Sequence, residues 1–215
     1  PRADRPARAR RAVRGAARHP LRQPAGLTTL TRPRVFYGWW MVAATAIVGL
    51  YVGGIIVYGF TAIFEPIILE FGWSYAAVSF AASLRGAETG LLEPVAGRFV
   101  DRWGSRRLIF AGGVFTAAGL FLLAGTKSLA MFYGSFELLA VGMSACGTTV
   151  LVTGIANWFR AKLGLATGIA LCGFGLGGLM LPVMVSLIAR YGWRLSFVIL
   201  GVGALALLLP LSFVF

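Results

Sequence analysis

The chain has 215 residues, 58% of them apolar and 13% charged, with a mean hydropathy of +0.81. A soluble domain carries about 25% charged residues, so this composition excludes an ordinary soluble globular protein and a disordered chain and indicates several membrane spans. The formal net charge of +13 is concentrated at one end: residues 1–34 hold ten Arg against Asp4, and everything after them nets only +4.

Residues 1–34 are rich in Arg, Ala and Pro, with prolines at 1, 6, 20, 24 and 33. Prolines break helices and like charges repel, so this segment reads as a disordered basic tail, suited to anionic headgroups. It has no aromatic interleaving for base stacking, so it is not read as a nucleic-acid binder. The following apolar stretch is too long for a secretory signal peptide. The chain opens on Pro and stops inside an apolar run at Phe215, which reads as a fragment trimmed at both ends. Cys146 and Cys172 both lie in apolar runs and His19 is the only histidine. No disulfide framework and no metal-ligand spacing is present, and no cofactor is implied.

From Val35 onward six apolar runs follow one another, at about 38–64, 76–97, 108–126, 129–156, 164–189 and 194–215. A bilayer core needs roughly 20 helical residues, and backbone groups in lipid must bond within their own segment, so all six are expected to be helices. Tyr37, Trp39 and Trp40 form an aromatic belt at the start of helix 1. The loops after helices 2 and 4 carry Arg98, Arg102, Arg106, Arg107, Arg160 and Lys162, on the side of the basic tail. Lys127, Arg190 and Arg194 lie on the other side. The positive-inside rule places the N terminus in the cytoplasm and Glu65 and Glu70 outside.

An internal repeat links Arg102-Trp103-Gly104-Ser105-Arg106 with Arg190-Tyr191-Gly192-Trp193-Arg194, 88 residues on. One copy follows helix 2 on the inside and the other follows helix 5 on the outside. Three helices followed by three inverted helices is the arrangement of a transporter half.

The sharpest motif is Gly97-Arg98-Phe99-Val100-Asp101-Arg102-Trp103-Gly104-Ser105-Arg106-Arg107, between helices 2 and 3. Gly97 allows a close helix approach, Asp101 suits a helix start or an Arg partner, Gly104 a tight turn, and Arg102, Arg106 and Arg107 the headgroups. The string resembles the loop 2–3 signature of the major facilitator superfamily. Tyr37-Gly38-Trp39-Trp40-Met41-Val42, Asn157-Trp158-Phe159-Arg160, Gly164-Leu165-Ala166-Thr167-Gly168-Ile169-Ala170 and Tyr191-Gly192-Trp193-Arg194-Leu195-Ser196-Phe197 agree with it. Together they resemble the branch of oxalate/formate antiporters and monocarboxylate porters. The resemblance covers about 35–215, six of the family's twelve helices. It implies alternating access, with a second six-helix half as partner. It also implies a cytoplasmic gating loop built from Gly97, Asp101, Arg102, Gly104, Arg106 and Arg107. Helix 4 carries Glu137 and no base, and helix 1 no charge, unlike many members.

Arg85, Glu88 and Glu93 lie in helix 2, and Glu137 in helix 4. Charge at membrane depth faces a cavity or a partner. At about 1.5 Å per residue, Arg85 and Glu137 lie roughly 14 and 12 Å from the outer ends of their helices. Arg85 can pair with Glu88 or Glu137 as a structural bridge. Alternatively Arg85 attracts an anionic substrate while Glu88 or Glu137 carries a coupling proton.

In helix 5, Gly173-Phe174-Gly175-Leu176-Gly177-Gly178 matches G-x-G-x-x-G, but no strand precedes it and a nucleotide is not expected. Gly173, Gly177, Gly178 and Pro182 read as helix-packing positions.

These features predict an all-α transmembrane protein: a six-helix bundle of two inverted three-helix repeats in the plasma (inner) membrane. The expected function is secondary transport of a small organic anion such as a monocarboxylate, proton-coupled or by exchange. The alternative is a non-transporting membrane sensor or assembly protein of the same fold. An intramembrane protease needs a Ser–His dyad or a metal cluster, and the apolar region has no histidine.

Overall fold

The computed structural model describes residues 37–159 and 162–215; the basic tail and Arg160 lie outside the described residues. Six membrane-crossing rods follow in chain order. They are α1 (Tyr37–Phe71), α2 (Tyr75–Trp103), α3 (Ser105–Ala124), α4 (Leu129–Ala156), α5 (163–191) and α6 (193–212). No strand occurs among the described residues. By length and apolarity alone, four helical stretches qualify as spans. The last of these, Leu163–Ser212, is 50 residues long. It contains non-helical backbone at Gly192, with φ 75° and ψ 162°, and so is two spans meeting at one residue. The remaining rod, α2, is excluded by its charges, not by its 29-residue length.

Local chemistry sets the ends. Gly72 adopts left-handed φ 64°, and its N–H closes α1 on the Ile68 carbonyl at 2.9 Å. The Ser74 and Ser128 hydroxyls accept from the N–H groups of Ala77 (3.2 Å) and Met131 (3.3 Å), capping α2 and α4.

The rods differ from the predicted helices in four places. Helix 1, expected to end near 64, continues to Phe71, so Glu65 and Glu70 ride on its last two turns. Helix 2, expected to end at 97, continues to Trp103. In both cases charge marks the end of the apolar region, not the end of the helix. α4 is interrupted at Cys146–Gly147. α5 tightens to a 3₁₀ turn over Gly177–Leu179 and restarts at Met180 with Pro182 in its first turn, where a missing N–H is tolerated.

The repeat is visible in the backbone. Shifting α2 by 88 residues gives 163–191, and shifting α3 gives 193–212, the bounds of α5 and α6. Gly104 (φ 80°, ψ 157°) and Gly192 (φ 75°, ψ 162°) adopt the same conformation. The pairing of α1 with α5 is mirrored by that of α4 with α2, and α3 packs on α6. The two copies lie at opposite ends. Tyr37 donates to the Val214 carbonyl at 2.9 Å at the basic end, and Glu70 meets Trp193 and Arg194 at the other. This φ/ψ region is open essentially only to glycine. Gly104→Ala or Gly192→Ala is therefore expected to cost about 1–3 kcal/mol, read as a lower melting temperature in detergent.

Lipid tails are as apolar as leucine, so close packing rather than water exclusion holds such a bundle together. Glycines stand at both seams of α3: Gly119 faces Leu139 between α3 and α4, and Gly201 faces Phe121 between α6 and α3. The central core combines Val52, Ile56 and Phe60 of α1 with Leu120 of α3, Phe136 of α4 and Phe197 of α6.

Candidate substrate and coupling site

Two features of α1 create a place for Arg85. From Gly53 to Tyr58 the rod is a π-helix, followed by a 3₁₀ segment from Gly59 to Ile63. Such interruptions disturb the regular carbonyl ladder and collect at functional sites. The Arg85 Nη1 donates to the Ile56 carbonyl at 2.5 Å. The Phe60 and Phe136 rings flank the guanidinium at 5.6 and 5.8 Å, within reach of cation–π attraction. Arg85 is only 9% exposed. The small cavity beside it is lined by Ile55, Ile63, Leu120, Leu139 and Phe197 as well, and no carboxylate lines it.

This corrects the expected ion pair. Among the described residues the one salt bridge is Arg194–Glu70, and Arg85 pairs with neither Glu88 nor Glu137. Helices α2 and α4 are neighbours, as the pairing idea required. What they bring together is Glu88 and Glu137, whose carboxyl groups lie close enough to interact. Two ionised carboxylates at such range only accept hydrogen bonds and repel each other, and a single proton between them would remove that repulsion. Arg85 spends itself on a backbone carbonyl because the π turn of α1 presents one at closer range. The side chain of Glu93 points toward Gly147, the break in α4.

The loop motif is mostly helix. Gly97 to Trp103 complete α2, and Gly104 alone makes the turn into α3. Asp101 thus lies in the last turn of α2 and caps no helix start, and no ion pair holds it among the described residues. Arg102, Arg106 and Arg107 are exposed. Gly97 does not mark a tight crossing. A methyl there would sit 3.6 Å from Thr149, in ordinary contact.

The helix 5 glycines divide. A Cβ on Gly173 would strike the backbone of Ala46, and one on Gly177 would lie 2.6 Å from the Gly54 nitrogen. Gly178 faces open space and Pro182 is exposed, so neither packs as expected. The G-x-G-x-x-G string is a helix seam against α1.

Sequence reasoning missed the π segment, the Ile56 carbonyl and the aromatic pair around Arg85. The Gly53-Gly54 pair and Gly59 inside helix 1 were the available signal. It also missed a clamp at the far end: Glu70 accepts from Trp193 Nε1 and Arg194 Nη2, both at 2.6 Å, tying the end of α1 to the start of α6.

Comparison with known proteins agrees with this architecture. Residues 50–215 match the model of the Major Facilitator Superfamily. Monocarboxylate transporter 11 of Mus musculus is 33% identical over 185 residues, 81% of this chain and 41% of that protein. The oxalate:formate antiporter of Oxalobacter formigenes is 31% identical over 163 residues, 73% of this chain and 38% of its own length. Monocarboxylate transporter 13 of Bos taurus is 30% identical over 187 residues, 81% of this chain and 43% of its own. The chain thus spans about two fifths of these relatives. Its multi-span all-α fold, its inverted repeat and the family match over three quarters of its length together establish that this integral membrane protein belongs to the Major Facilitator Superfamily.

Proposed function

We propose that the chain forms one half of a secondary carrier that moves a small organic anion by alternating access, coupled to a proton. The observation that carries this reading is the carboxyl–carboxyl contact of Glu88 and Glu137 one helical turn from a buried arginine that no carboxylate neutralises. An anion entering the cavity meets the only unneutralised cation at that depth among the described residues. The proton held between the carboxyls balances its charge on the way across. Ionisable groups inside a membrane protein mark such pathways.

The relatives named for monocarboxylates and for oxalate and formate support a carboxylate substrate. In this reading the second half completes the pathway against α2 and α5, whose Gly86, Gly90, Gly164, Gly168 and Gly175 face open space. The Gly97–Arg107 segment gates it from the cytoplasmic side, the N terminus is cytoplasmic, and the membrane is the plasma or inner membrane. The division at residue 35 separates the basic tail from the carrier half.

The test is uptake of radiolabelled formate, oxalate and pyruvate into proteoliposomes holding the product of the complete reading frame. Saturable uptake of at least one is expected. Arg85→Gln should abolish it, while Arg85→Lys, which keeps the charge but not the planar fork, should retain part of it. Anion binding without flux would favour the sensor.

A further inference from the structure

We propose that the break in α4 and the Glu93 carboxylate beside it form a binding site for a monovalent alkali-metal cation. The site lies in the seam between α2 and α4, apart from Arg85, and does not depend on which anion the carrier moves.

A continuous helix would bond the Gly147 N–H to the Met143 carbonyl four residues back. Here it turns to the Ser144 carbonyl at 3.2 Å, and the helix restarts with the Leu151 N–H on the Gly147 carbonyl at 3.1 Å. The Met143 carbonyl thereby loses its ladder partner. At membrane depth a freed backbone group has to find another.

Gly147 has φ −70° and ψ 170°, extended backbone that any residue adopts. What glycine provides there is room. Apart from its chain neighbours, the three atoms nearest to where a Cβ would stand are all oxygens. They are the Ser144 carbonyl at 3.0 Å, the Met143 carbonyl at 3.3 Å and Glu93 Oε1 at 3.4 Å. Two belong to α4 and one to α2, so the carboxylate is turned into the seam and what it meets is set by these two helices. One turn along, Gly97 of α2 faces Thr149 of α4. Glu93 is ten residues from the end of α2 and Gly147 nine from the end of α4. At 1.5 Å per residue both lie roughly 14–15 Å in from the basic end.

Oxygen ligands of this kind suit hard cations, and unwound carbonyls at helix breaks can coordinate sodium. Charge selects the valence. One carboxylate is neutralised by one positive charge, whereas a divalent ion would leave net charge within the bundle, which is costly. Arg85, the base on the same helix, is eight residues or roughly 12 Å away and is engaged by the Ile56 carbonyl.

The other repeat shows that such a break does not itself require a carboxylate. Gly59, 88 residues before Gly147, stands in the interruption of α1. Its open side is filled by Met184 of α5, whose Sδ and Cε lie 2.6 and 2.9 Å from where a Cβ would stand. A thioether plugs the gap in one copy, and oxygens border it in the other.

Binding of radiolabelled sodium to the detergent-purified product of the complete reading frame tests this, at constant ionic strength in choline chloride. Saturable binding is expected, displaced by unlabelled sodium or potassium. Glu93→Gln should weaken it by about tenfold or more, at least what the loss of an outer-shell partner costs a metal site. Gly147→Ala keeps every charge and puts a methyl among the oxygens; it should lose binding too, and its backbone angles suit alanine, so it serves if Glu93→Gln does not fold. Glu65→Gln removes a carboxylate from the end of α1 and should bind as the wild type does. Sodium should raise the melting temperature of the wild type and of Glu65→Gln, but not of the two site variants. A purely structural Glu93 would change the melting temperature without changing its response to sodium. The proposal is overturned if the wild type binds neither cation saturably, if both site variants bind sodium undiminished, or if Glu65→Gln loses as much as they do.

Discussion

Glu88→Gln and Glu137→Gln are each expected to abolish proton-driven accumulation while leaving downhill exchange. With one proton moved per monovalent anion, a pH difference of one unit is worth about 1.36 kcal/mol, or roughly tenfold accumulation. In the variants that ratio should fall to about one. The reason lies in the contact between the two side chains. A hydrogen bond between two carboxyl groups exists only while one of them carries a proton. A glutamine amide donates to the remaining carboxylate with no proton bound, so the contact persists at every pH and no longer reports the proton. The shape of the pair is kept and its titration is removed. Measuring uphill uptake and equal-pH exchange of the same labelled anion separates the two. Proton-driven accumulation that survives in both variants would end the coupling reading and leave Arg85 as an anion site without a partner proton.

Which features were readable beforehand follows from what kind of signal each carries. Span number, helical class and the repeat depend on apolar length and on a string of five residues repeated at a fixed offset, and both are properties of sequence alone. The repeat carries further than its five residues suggest. Gly104 and Gly192 share one glycine-only conformation because each must turn the chain between two rods with a single residue. The charged residues of the candidate site were also readable, because intramembrane charge is rare and conspicuous. Their partners were not. Helical spacing put Arg85 and Glu88 on one face, and the nearest opposite charge looked like the natural partner. The outcome turned on a backbone carbonyl in a π turn of α1, and backbone irregularity leaves only a faint mark in sequence, here three glycines within seven residues. Helix ends were misjudged for a related reason: hydropathy reports where lipid ends, and α1 and α2 run on past it.

Gly173→Ala and Gly97→Ala make the same chemical change in two helices and should have opposite effects. In a helix, alanine is intrinsically favoured over glycine by about 1 kcal/mol. At Gly97 nothing opposes that gain. The nearest atom to a new methyl is the Thr149 Cγ2 at 3.6 Å, ordinary contact distance. The variant should melt at the same temperature as the wild type or slightly above. At Gly173 the new methyl would collide with the carbonyl oxygen, Cα and carbonyl carbon of Ala46, all backbone of α1. A side chain can rotate away; a helix backbone cannot. Relief requires the whole α1–α5 seam to open, and that seam also holds Gly177 against Gly54 and Phe174 against Gly49 and Gly53. Overpacking of this kind costs about 1–3 kcal/mol where neighbours adjust, and occasionally more; here they cannot adjust, so the upper end is expected. Because α1 bears the π segment that receives Arg85, a shifted seam should also displace Ile56 from the guanidinium. Gly173→Ala should therefore lose anion binding together with stability, and Gly97→Ala should keep both. Thermal unfolding in detergent, with and without the transported anion, reads the two effects at once. A Gly173→Ala protein as stable as the wild type would show that the α1–α5 seam is looser than the close approach of these glycines indicates.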